Sequence, residues 1–271
     1  MDTYLNSHNL SEKKKDSQTL NQAPTGDSGK TEPEKGKKGN MITRIIVGVL
    51  LAGISFGLII WGALPLSIEI LIFSLIGVTE FYQMAERKKI RPSRAMGYLA
   101  VTLLCVVAYL NKSEYFPELL VGLVLISMLG YIFRKGFHVS SFLDVGVTIL
   151  GFLYVGLLFS YLIFIRKIEG APFMVGAFAL SRGAGLTILL VIVNSFTDIG
   201  AFFVGKAIGE HKLAPRISPQ KTIEGAVGGV VGAITGALLM GLILKISTTD
   251  LVTIAVLCSI FAQLGDLWAS I

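Results

Sequence analysis

Charge is what this chain has least of. Only 15% of its 271 residues are charged, while 53% are hydrophobic. A soluble domain carries about 25% charged residues. With a mean hydropathy of +0.70, there is too little polar material to cover a water-soluble globule. That excludes a soluble globular class and leaves a polytopic membrane protein. Cysteine is nearly absent as well. Cys105 and Cys258 each sit alone within an apolar run, which excludes a disulfide framework or a thiolate metal site. No internal repeat is visible, which argues against the paired halves common in transporters.

The formal net charge is nevertheless +6. The basic residues gather in short loops between apolar runs, which is the pattern of membrane topology and not of a nucleic-acid-binding face. Residues 1–41 form a separate polar segment rich in Lys, Ser, Glu, Gly and Asn. Such a composition buries too little apolar surface to fold, so a disordered, solvated cytoplasmic tail is expected. It is too long for a signal peptide, and no cleavage pattern follows it. Residues 42–271 are expected to form one transmembrane domain.

A helix needs about 20 mainly apolar residues to cross the hydrocarbon core. The candidate spans are 43–62, 64–86, 95–111, 117–133, 143–165, 186–205, 225–245 and 249–271. An all-α bundle of about eight transmembrane helices is therefore expected, because lipid cannot satisfy open backbone groups. The runs are too long and too continuously apolar for barrel strands. With the tail in the cytoplasm, 19 of the 24 Lys and Arg residues fall on that side, including Arg134 and Lys135. The positive-inside rule then places the N-terminus and the loop 206–224 in the cytoplasm of a multi-pass cell-membrane protein.

Charges inside spans are expensive and face protein or water. Glu80, Asp198 and Asp266 fall toward the cytoplasmic ends of their spans, whereas Glu69 lies toward the other side and reads as interfacial. Three carboxylates at similar depth suit Mg²⁺, which takes one or two carboxylates plus substrate phosphates. Asn194 and Asp198, four residues apart, share a helix face. The following loop reads as a phosphate binder through Lys206, Lys212, Arg216 and Lys221. Ser218-Pro219 reads as a helix start, and Thr222 with Glu224 as a second one. A helix N-terminus offers free N–H groups to an anion. Gly225, Gly228, Gly229, Gly232 and Gly236 read as a close-packing helix face.

Two motif matches fail. Gly200 to Ala207 fits the P-loop spacing, but Ala207 replaces the hydroxyl residue that would hold Mg²⁺, and no strand precedes it. Ser218 and Lys221 fit SxxK, but the companion SDN and KTG elements are absent.

The run from Asp198 through Gly205-Lys206, then His211 to Gly225 and Gly228-Gly229, resembles the phosphatidate cytidylyltransferase (CDP-diacylglycerol synthase) family. Ile217-Ser-Pro-x-Lys-Thr-x-Glu-Gly225 carries most of the likeness. Glu80-Phe81-Tyr82 and Gly265-Asp266-Leu267 add to it, and the resemblance covers about 42–271. It implies a Mg²⁺-dependent membrane enzyme, commonly a homodimer, that joins CTP to phosphatidate and releases pyrophosphate. Lys221, Arg216 and Ser218 would be catalytic and Lys206, Lys212, Thr222, Glu224 and Asn194 substrate-binding. Asp266 and Asp198 would hold the metal. The family pattern continues past Leu267 to a closing Asp-Arg-x-Asp, while this sequence stops at Ile271. A chain cut short, lacking that acidic pair, is therefore expected. The competing readings are another CTP-using lipid enzyme of the polyprenol kinase kind, and a non-enzymatic transporter or scaffold.

Overall fold

The computed structural model describes residues 35–133 and 141–270. Most of the expected tail, and Arg134 and Lys135 of the topology count, lie outside the described residues. The chain divides into two units, Met1–Gly48 and Val49–Ile271. The described part of the first is the opening of helix α1 (Lys35–Trp61). The second unit carries everything that follows.

Long apolar helices dominate: α2 (Ala63–Arg87), α3 (Arg94–Tyr109), α4 (Phe116–Ile132), α5 (Ser141–Gly151), α6 (Leu158–Arg166), α7 (Arg182–Ile208), α8 (Ile223–Leu244) and α9 (Thr248–Trp268). A single π-helical stretch, Phe152–Leu157, joins α5 and α6 into one rod. Among the described residues, six helices are long and apolar enough to cross a membrane. These account for six of the eight expected spans. The apolar stretch Ile46–Trp61 is the C-terminal part of α1, and α3 is shorter than the six. At 1.5 Å per residue, the 16 residues of α3 rise about 24 Å, less than the roughly 30 Å hydrocarbon core.

The architecture is also not purely helical. Strands β1 (Phe173–Val175) and β2 (Phe178–Leu180) pair antiparallel with Phe173 opposite Leu180. Strands β3 (Lys212–Ala214) and β4 (Ser218–Thr222) form a second hairpin, with Lys212 opposite Thr222 and Ala214 opposite Ser218. Segments between spans still have backbone groups to satisfy, and hairpins do this locally. Ser218-Pro219 therefore opens a strand, not a helix. The helix starts at Thr222, as the second signal implied.

Small and hydroxyl side chains line the helix contacts, while Phe133, Phe142 and Leu242 face outward. That is packing for lipid, where close backbone approach replaces a hydrophobic driving force. The buried hydroxyls of Ser127, Thr187 and Thr197 donate to carbonyls four residues back on their own helices. Helices α7 and α8 approach through glycine. A Cβ on Gly200 would strike the Gly228 carbonyl, and one on Gly232 the Phe196 carbonyl. Tyr82 of α2 is fully buried, and its hydroxyl donates to the Thr148 carbonyl at 2.8 Å. Its ring fills space left by Gly97 and Gly151, where any Cβ would clash with it.

Hydrogen bonds sort the helix ends. Arg166 Nε donates to the Ile59 carbonyl at one end. At the other, the Arg91 N–H donates to Asp144 and the Tyr131 hydroxyl to the Arg91 carbonyl. The Arg182 end of α7 lies by Arg166, where a Cβ on Gly183 would strike the Arg166 carbonyl. The 27 residues of α7 rise about 40 Å, carrying the chain to the opposite end before β3 and β4.

Candidate active site

Helix α7 ends at the second hairpin, and α8 turns straight back from it. Thr222 fixes this junction. It is extended (φ −121°, ψ 156°), and its hydroxyl accepts from the Gly225 N–H at 3.1 Å, capping α8. Such a cap satisfies one of the donors that a helix start leaves open. Gly205 and Gly209 make room for the Thr222 side chain: a Cβ on Gly209 would lie 2.7 Å from its hydroxyl.

On the other side of the junction, Glu224 is tied to the start of the hairpin. It accepts from the Glu210 and His211 backbone N–H groups at 3.2 Å and lies 2.6 Å from His211 Nδ1. Glu224 thus faces a small apolar groove beside Val204 and Val227 and does not line the main cavity. Arg216 is exposed in the segment joining β3 to β4 and is also not part of that lining.

The cavity, about 930 Å³, lies between α7, the β3–β4 hairpin, the start of α8 and the end of α9. Helix α7 supplies Asn194, Asp198 and Lys206, on repeats of one face. The hairpin supplies Lys212, Ser218 and Lys221, and α9 supplies Gln263 and Asp266. Three lysines and two carboxylates therefore meet in one space. Lys221 Nζ lies 2.9 Å from Asp266 Oδ2, with Lys221 mostly covered (24% exposed) and Asp266 open (68%). Ser270 backs the pair, donating to the Asp266 carbonyl at 2.8 Å and lying 3.4 Å from Lys221 Nζ. Lys206 Nζ lies 5.7 Å from the centre of the Phe202 ring.

Of the carboxylates expected to converge, Asp198 and Asp266 do so. Glu80 is exposed on α2 and does not line this cavity. Glu69 is half-buried and accepts from Ser55 at 2.5 Å. Sequence reasoning missed Gln263. Its amide donates to the Ala226 carbonyl (3.2 Å) and to Ser259 (3.0 Å), tying α9 to the start of α8. Its place three residues before Asp266, on the same helix face, was the available signal.

Among the described residues, no three His, Cys, Asp or Glu side chains cluster as a metal site. Asp198 and Asp266 alone make an open, oxygen-only donor set. That suits a hard cation that keeps waters and takes its remaining ligands from a bound phosphate. An anion-binding cavity with paired carboxylates, set at one end of a membrane bundle, is the equipment of a lipid-modifying phosphotransfer-type enzyme.

The chain belongs to the cytidylyltransferase family, whose model matches residues 42–271. It is similar to the phosphatidate cytidylyltransferase of Bacillus subtilis (strain 168), with 32% identity over 237 residues. That match covers 84% of this chain and 82% of the relative. The Synechocystis protein of the same name is 29% identical over 199 residues, covering 67% and 66% of the two chains. The one from Staphylococcus saprophyticus is 33% identical over 129 residues, covering 47% and 44%.

Proposed function

We propose that the protein transfers a cytidylyl group from CTP to phosphatidate, giving CDP-diacylglycerol and pyrophosphate. The observation that carries this reading is the convergence of Lys206, Lys212, Lys221, Asp198 and Asp266 on one cavity. A phosphatidate oxygen attacks the α-phosphorus of CTP. One P–O bond forms, the bond to the β-phosphate breaks, and pyrophosphate leaves. The nucleophile is already anionic, so no strong general base is required. The difficulty is bringing two polyanions together, and fixed cations address it.

Lys221 is the principal triphosphate contact, with Lys206 and Lys212 beside it. Ser218 and Asn194 offer polar groups to substrate, while Thr222 and Gln263 hold the walls in place. Glu224 ties the start of the hairpin to α8 from outside the cavity, and Arg216 lies in the exposed β3–β4 connection. Asp198 and Asp266 would hold Mg²⁺, which when bound supplies charge neutralisation at the phosphates. The same reading includes eight crossings, with the site and N-terminus facing the cytoplasm, supported by the positive-inside count. It also includes a homodimer, on the strength of the family resemblance.

The test is incorporation of CTP into lipid by Lys221→Ala and Asp266→Ala variants of the full-length protein. Each should lose about 10²-fold or more of the activity, the scale of removing one charge-stabilising contact. Arg216→Ala should lose far less. Normal rates in both site variants would refute the assignment. The products separate this reading from a lipid kinase: CDP-lipid with pyrophosphate against phospholipid with CDP.

A further inference from the structure

A second basic cavity, about 800 Å³, opens between the α2–α3 turn and the C-terminal end of α4. It shares no lining residue with the reaction cavity. Its wall carries three cations, Lys89, Arg91 and Arg94, against one carboxylate, Glu86. Arg94 and Glu86 neutralise each other in a two-pronged pair, at 2.9 and 2.5 Å. Among the described residues, neither Lys89 nor Arg91 has an ion-pair partner. Two positive charges without an ion-pair partner among the described residues are thus held at one cavity wall.

The backbone that presents them is pinned from three directions. The Arg91 N–H donates to Asp144 at 2.7 Å and the Ser93 N–H to Thr148 at 2.9 Å. The Tyr131 hydroxyl donates to the Arg91 carbonyl at 3.0 Å. Lys89 sits at φ 64°, in the left-handed region. The Ile90 N–H reaches the Ala85 carbonyl and the Lys89 N–H that of Glu86, closing α2. Glycine is the usual occupant of that closing position, and Lys89 takes it here. Helix α3 then starts without a side-chain cap from Ser93. The first-turn N–H groups of α3 are left for an outside acceptor.

We propose that this cavity binds a phosphate-bearing anion through Lys89, Arg91 and the start of α3, as a site separate from catalysis. Its place at a helix end, beside the exposed apolar side chains of Met84, Leu99 and Met128, fits the headgroup of an anionic phospholipid. A free phosphate offers the same chemistry.

The experiment uses the full chain in phosphatidylcholine nanodiscs, with and without phosphatidylglycerol, and counts retained anionic lipid by native mass spectrometry. The Lys89→Gln/Arg91→Gln variant should lose one retained lipid population, with affinity reduced about tenfold or more. Lys221→Ala should leave that population intact, which separates this result from the reaction site. Inorganic phosphate is titrated in parallel with thermal unfolding as readout. Stabilisation by phosphate that the double variant lacks, without lipid retention, assigns the cavity to a soluble anion. Both side chains are exposed, so the variant's ligand-free melting should match wild type. Arg91→Gln alone, which keeps the backbone bond to Asp144, should shift binding in the same direction. Equal lipid retention and equal phosphate response in wild type and variants would overturn the proposal.

Discussion

Thr222 gives the sharpest test of how the site is held. Its side chain does two things at once. The hydroxyl caps α8 through Gly225, and the methyl fills the hollow at Gly209. The residue is 6% exposed, so both contributions count in full. Serine keeps the cap and loses one methyl, a cost of about 1 kcal/mol. Valine keeps the shape but leaves the Gly225 N–H without its acceptor, about 1–2 kcal/mol. Alanine loses both, about 2–3 kcal/mol in all. Stability should be measured by unfolding in detergent, and function by the initial rate of CDP-lipid formation. Rates should fall in the same order, because Lys221 precedes Thr222 directly and Gly225 lines the same cavity. A serine variant as damaged as alanine would refute the cap. A valine variant indistinguishable from wild type would do the same.

Two further outcomes follow from the packing and the topology. Gly232→Val would drive a side chain into the Phe196 carbonyl, separating α7 from α8. It should cost about 1–3 kcal/mol and most of the activity, read as a lower midpoint of unfolding and a lower rate. A cysteine at Pro215, exposed in the β3–β4 connection, should react with a membrane-impermeant maleimide only from the cytoplasmic side. Labelling of intact cells from outside would invert the proposed orientation.

The helices were legible because hydropathy marks them directly. The end of α8 falls within one residue of its apolar run, and its start within two. The glycine spacing on α8 announced the close contact with α7 that the structure contains. Thr222 was legible as a cap because a hydroxyl residue before an apolar run has few other uses. The hairpins were not legible. Strands of three to five residues are too short for an alternating pattern, and Ser-Pro signals a helix start and a strand start alike. The position of Glu224 was hidden for a related reason. Adjacency to Lys221 and Gly225 in sequence suggested a shared cavity, but the first turn of α8 points it the other way, onto His211. Arg216 has the right chemistry for phosphate, yet it sits in the connection beyond the end of β3. Spacing in a loop does not reveal which side chains the fold turns inward.

The Lys221–Asp266 pair also sets how ligands enter. Lys221 and Asp266 each satisfy the other's charge. A polyanion that draws Lys221 away leaves Asp266 exposed and negative. A cation that draws Asp266 away leaves Lys221 positive. Each arrival therefore prepares the residue that the other needs, and neither gains fully when it comes alone. By linkage this raises both affinities by the same factor. On the proposed reading, the pair is a closed circuit that a nucleotide and its counter-charge would open together.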